Sequence, residues 1–153
     1  MKGNAQVLTA LNQRLSEELA AINQYIVHSE MALNWGYEKY GAYVKARALA
    51  EMKHAEALIE RILFLEGTPA IVLASVNIGA DIQTGLLNDH AAELDAIEKY
   101  NASIALATQV KDDVTRALFE SNLQGENEHL NQIEAFLDQI EQMGIENFLS
   151  TQT

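Results

Sequence analysis

Two Glu-x-x-His pairs, Glu51/His54 and Glu126/His129, lie 75 positions apart, and each has an isolated glutamate 33 positions before it, at Glu18 and Glu93. The same offset relates the flanks, since Glu18-Leu-Ala-Ala-Ile-Asn-Gln-Tyr25 and Glu93-Leu-Asp-Ala-Ile-Glu-Lys-Tyr100 share Glu, Leu, Ala, Ile and Tyr in register. The chain is therefore two related halves, each supplying two carboxylates and one imidazole. Gathered between four helices, those groups form the ligand set for a pair of metal ions.

The pattern between these residues is helical. Leu8, Leu11, Leu15, Ile22 and Ile26 recur at the spacing of one helical face. The single proline, Pro69, and the sparse glycines leave long stretches unbroken. Helices are expected near 4–34, 38–65, 81–109 and 113–142, with a crossover at 66–80 and a short fifth helix near 145–151. Helices of about 28 residues would each be roughly 42 Å long, matched as a bundle requires. Short first and third connections make two antiparallel hairpins, and the longer second one can travel the length of the bundle. The expectation is an all-α, single-domain four-helix bundle with one long crossover.

The isolated glutamates fall on the apolar seams. The first seam runs Leu11, Leu15, Glu18, Ile22, Tyr25, and the third runs Leu86, His90, Glu93, Ile97, Tyr100. The fourth carries Phe119, Asn122, Glu126, His129 and Ile133. Burying an ionised carboxylate costs several kcal/mol, against a whole-domain stability of about 5–15 kcal/mol. Two divalent cations offset four such charges, with neutral His54 and His129 completing the shells. Oxygen-rich ligation with one imidazole per ion suits iron or manganese better than structural zinc.

Other residues admit two readings. Tyr25 and Tyr100 are either core aromatics or hydroxyl donors to a ligand carboxylate. His90 is expected as a hydrogen-bonded core histidine, or else a group supporting the ligands from behind. His28 has no acidic partner at helical spacing. Met52, next to Glu51, points about 100° away, toward the outside of its helix, where it serves interface packing or haem-iron ligation.

Composition removes other classes. A formal charge of −12 leaves no basic cluster for nucleic acid. Cysteine is absent, which excludes thiolate sites and fits a reducing compartment. The apolar runs are too short to span a membrane, and Met1-Lys2-Gly3-Asn4 does not open a leader, so a soluble cytoplasmic protein is expected.

Taken together these residues resemble the bacterioferritins, within the ferritin-like superfamily. The likeness runs through Met1-Lys2-Gly3, Asn34-Trp35-Gly36, Glu51-Met52-Lys53-His54-Ala55, Ile59 to Gly67, Asn77-Ile78-Gly79, Glu93-Leu94-Asp95 and Met143-Gly144. The resemblance implies a hollow 24-subunit cage storing ferric mineral, with a ferroxidase di-iron centre inside each subunit. Glu18, Glu51 and His54 would serve one iron and Glu93, Glu126 and His129 the other, with Glu51 and Glu126 bridging. Met52 and its twofold mate would bind one haem b between two subunits. The fifth helix would line the fourfold channels.

The implied activity is oxidation of Fe(II) by dioxygen or hydrogen peroxide, with haem relaying electrons from a small ferredoxin-like donor for iron release. Two departures stand out. Ala46, Arg47 and Ala50 replace the His and acidic residues of an extra inner-surface iron site, and Gln132 replaces a Trp found in some relatives. The competing readings are a di-iron or di-manganese peroxidase or catalase, and a haem-binding structural subunit of a mixed cage.

Overall fold

The computed structural model describes residues 1–72 and 74–153. Four long helices, α1 (Ala5–Asn34), α2 (Glu38–Phe64), α3 (Ile82–Gln109) and α4 (Asp113–Met143), are followed by the short α5 (Ile145–Ser150). The helix starts follow from side-chain caps. Asn4 accepts from Gln6 N and Val7 N, so α1 begins one residue later than the pattern suggested. Asp81 does the same at α3 through Thr84 N, and Asp112 caps α4 through Thr115 N. The α1–α2 turn closes on Gly36 at φ +87°, where an L side chain would be strained.

Ser29 Oγ donates to Gly41 O at 2.7 Å, which sets the antiparallel register of α1 against α2. Contacts between Tyr25 and Glu93 and between Tyr100 and Glu18 run α1 antiparallel to α3. Pairings of His54 with Glu126 and of Glu51 with His129 do the same for α2 and α4. The crossover runs back along α1: Ala70 N donates to Asn12, Asn77 N to Gln24 and Gly79 N to His28. This is the ferritin-like bundle with one long crossover.

The core is two apolar clusters with a polar layer between them. One contains Leu11, Leu15, Leu58, Ile62 and Phe119, and the other Tyr40, Val44, Leu86, Ile133 and Phe148. Burial shifts some expected seam positions. Ile26 is 47% exposed, whereas Gln24, His28 and Ser29 are buried, because α1 packs against the crossover as well as α2 and α3. On α3 the interior line is Gly85, Asp89, Glu93 and Tyr100, one position off the seam expected at residue 90. Among the described residues, no helix is long and apolar enough to cross a membrane.

Candidate metal centre

The fold gathers Glu18 from α1, Glu51 and His54 from α2, Glu93 from α3, and Glu126 and His129 from α4. Each supplies an atom to one of two groups whose members lie within 4.8 Å of one another: Glu18, Glu51, His54, Glu126 and Glu51, Glu93, Glu126, His129. Glu51 and Glu126 belong to both. His54 Nδ1 stands 2.9 Å from Glu51, 3.2 Å from Glu126 and 3.5 Å from Glu18. His129 Nδ1 stands 2.8 Å from Glu51, 3.4 Å from Glu126 and 3.5 Å from Glu93. The two imidazoles lie nearly parallel, 6.0 Å apart.

His54 Nδ1 bonds Glu126 Oε1, but most of this proximity is not hydrogen bonding. Both oxygens of Glu51, Oε2 of Glu93 and Nδ1 of His129 are buried without a hydrogen-bond partner. Such atoms cost about 1–3 kcal/mol each, more when charged, unless something between them takes their lone pairs. Four carboxylates and two imidazoles converging on shared space fit two divalent cations.

Protons partly fill that role when no cation is bound. Burial, opposed by the nearby His54 imidazole and reinforced by the charges of Glu18 and Glu93, pushes Glu51 well above the carboxylate range. Burial and the charges of Glu18, Glu51 and Glu93 do the same to Glu126. Burial also raises Glu93, against hydrogen bonds from Glu126 and Tyr25 and the charge of Arg47. For Glu18 burial is outweighed by the nearby His54 and Glu51 and by the Tyr100 hydrogen bond, which leave it lowered. Burial pulls His54 down, but the adjacent carboxylates of Glu18 and Glu51 carry it up to about 10.

Tyr25 donates to Glu93 and Tyr100 to Glu18, so each tyrosine crosses to the glutamate of the other half. Asn122 Nδ2 supports Tyr100 Oη at 3.0 Å. His90 is not a core histidine. It is half-buried and faces Glu134 at 3.2 Å, away from the six residues, because the interior turn of α3 is taken by Asp89. His28, by contrast, is buried and bonded to Asp89 Oδ1 at 2.9 Å, a partner 61 positions away that helical spacing could not reveal. Met52 is 44% exposed, one turn from Leu49 at 51%.

A cavity of about 190 Å³ leads to the site from a mouth lined by Glu17, Asp95 and Lys99. Lys99 bridges the two acids at 2.9 and 2.6 Å. Gly125 was not singled out by the repeat, yet a Cβ there would stand 2.6 Å from His54 Nε2. Gly125→Ala is expected to swing the imidazole off the site and weaken metal binding about tenfold. The fold should persist, since alanine favours the helix by roughly 1 kcal/mol. A Co(II) titration beside thermal unfolding checks both.

A family model for the ferritin-like domain matches residues 8–143. The bacterioferritin of Mycolicibacterium paratuberculosis is 36% identical over 147 residues, spanning 95% of this chain and 92% of the relative. The chain belongs to the bacterioferritin family. The bacterioferritin of Streptomyces coelicolor is 37% identical, spanning 99% of this chain and 91% of its own. A protein of Neisseria meningitidis named bacterial ferritin is also 37% identical, spanning 99% of each. The likeness therefore covers both halves of the repeat and all five helices.

Proposed function

We propose that the chain stores iron as a ferroxidase, taking up Fe(II) at Glu18, Glu51, His54, Glu93, Glu126 and His129 and delivering Fe(III) to the interior of a 24-subunit cage. The observation that carries this reading is the two groups sharing Glu51 and Glu126, in which both Glu51 oxygens, Glu93 Oε2 and His129 Nδ1 are buried without a partner. Iron is the substrate, and dioxygen or hydrogen peroxide takes its electrons. Family membership supports iron storage and an oligomeric cage.

The residues divide the work. Glu18 and Glu93 each hold one position from the side, oriented by Tyr100 and Tyr25. Glu51 and Glu126 reach both positions and keep the two ions at a fixed separation, so that two electrons can leave together. Fe(II) displaces the protons held on Glu51, Glu93 and Glu126, so uptake releases acid. Glu17 and Asp95, bridged by Lys99, leave one net negative charge along the cavity for an entering cation.

Met52 is assigned to haem b shared across a twofold axis. The exposed thioether beside exposed Leu49 is a soft donor on an apolar ridge, which fits haem iron. Bound haem would supply electron relay, from a small ferredoxin-like donor, for reductive release of iron. Met52→Leu should abolish the haem absorption of the assembled protein and leave Fe(II) oxidation unchanged. Cytoplasmic residence fits this reducing role.

The test of the ferroxidase reading is Glu18→Ala/His54→Ala, followed by stopped-flow Fe(II) oxidation. Loss of the fast phase supports it; a fast phase equal to that of the parent would sink it.

A further inference from the structure

The repeat that matches the six ligands residue for residue does not match what stands behind them. The offset of 75 takes Arg47 to Asn122. Asn122 is buried and supports Tyr100, whose hydroxyl donates to Glu18. In the other half Tyr25 donates to Glu93 in the same way, but the position equivalent to Asn122 carries a guanidinium. The Arg47 side chain is only 11% exposed, its Nη2 has no hydrogen-bond partner, and that atom stands 3.9 Å from Glu51 Oε1. The Tyr43 ring, 6.0 Å from the guanidinium carbon, holds it there.

A guanidinium is a cation, and no hydrogen bond to Nη2 offsets this one. It stands beside the group formed by Glu51, Glu93, Glu126 and His129, where it repels a second cation through little water. The group containing Glu18 and His54 has the neutral amide of Asn122 instead.

Two other buried charges lie behind the ligands, and each has partners of its own. Arg14, four residues before Glu18, lies over the Tyr100 ring at 6.0 Å, but its guanidinium is paired with Glu17 at 3.0 Å and bonded to Ser103, whereas Arg47 stands 3.9 Å from a ligand carboxylate itself. Asp89, four residues before Glu93, takes the Gln24 amide at 2.7 Å and faces His28, and bonds none of the six ligands.

Resting on the two-metal reading above, we propose that Arg47 grades the two positions, so that the Glu18/His54 position fills first and the Glu93/His129 position second and more weakly. At limiting Fe(II) the centre is then half-filled, and oxidation begins only as the second position loads. Fe(II) dependence of the initial rate is accordingly steeper than first order at low concentration.

Co(II) binding to the assembled protein, read by visible absorption and calorimetry, tests this without turnover. The intact protein should bind two Co(II) per chain in two phases, separated by about tenfold or more in affinity. Arg47→Asn should merge the phases by tightening the weaker one, and Arg47→Lys, which keeps the charge, should leave them apart. His54→Ala isolates the Glu93/His129 position and His129→Ala isolates the other. Adding Arg47→Asn should tighten Co(II) about tenfold in the first background and less than twofold in the second. Equal affinities in the intact protein, or equal responses to Arg47→Asn in both backgrounds, would overturn the grading and leave the two-metal site standing. Failure of the intact protein to bind Co(II) would overturn the two-metal reading itself.

Discussion

Glu51→Gln is expected to remove fast Fe(II) oxidation almost entirely while making the metal-free protein more stable. Glu51 is the carboxylate most deeply placed, 1% exposed, within reach of both imidazoles and a member of both groups. Changing a group that merely orients a ligand costs 10–100-fold, so losing a carboxylate that serves both positions should exceed about 100-fold. Without metal the same carboxylate is a burden, because burial and the charges of Glu18 and Glu93 oppose its ionisation. Relieving buried, poorly compensated charge gains on the order of 1–4 kcal/mol in favourable cases. Stopped-flow oxidation and thermal unfolding of the metal-free protein should therefore move in opposite directions. A variant less stable without metal than its parent would show that Glu51 is held by structure rather than for cations.

Divalent cations should stabilise the protein, and more strongly as pH rises. Glu51, Glu93 and Glu126 keep protons above the ordinary carboxyl value of 4.5. His54 keeps its proton up to about 10 instead of 6.5. Between those limits the native chain holds more protons than the unfolded one, so the stability of the metal-free protein declines as pH rises. Glu18 works the other way, but its lowered value confines that effect to pH below 4.5. Cations replace the protons, so their affinity climbs over the same window. At a hundredfold excess over Kd each filled position adds about 2.7 kcal/mol, or roughly 5–10 °C in Tm for a chain of this size. Unfolding with and without Co(II) near pH 5.5 and near pH 8 should show the larger gain at the higher pH. An equal or smaller gain there would contradict the proton exchange.

The residues singled out by the repeat are the ones the fold brings together, and the reason is physical. A pair at i and i+3 shares a helix face, and four carboxylates on apolar seams demand a common compensation. What the seams could not reveal depends on how the helices are rotated and on what packs over them. On α3 the interior line passes through Asp89 instead of His90, a difference of one residue and about 100°. His28 finds its partner on α3 and the crossover, through Asp89 and Gly79. The sequence marks Arg47 as a departure from an extra iron site and as the unmatched counterpart of Asn122 across the repeat. Its nearness to Glu51 depends on the side-chain path past Tyr43. Gly125 matters because His54 of another helix lies over it. Local periodicity gives the inward face to within about one residue, and neighbours from other helices set its rotation and what each residue meets.

A structure of the assembled protein soaked anaerobically with Fe(II) tests the central claim most directly. The account predicts two ions inside each bundle, one held by Glu18 and His54 and one by Glu93 and His129, with Glu51 and Glu126 reaching both. Iron found only at other surfaces of the cage, with these six side chains left unligated, would contradict it.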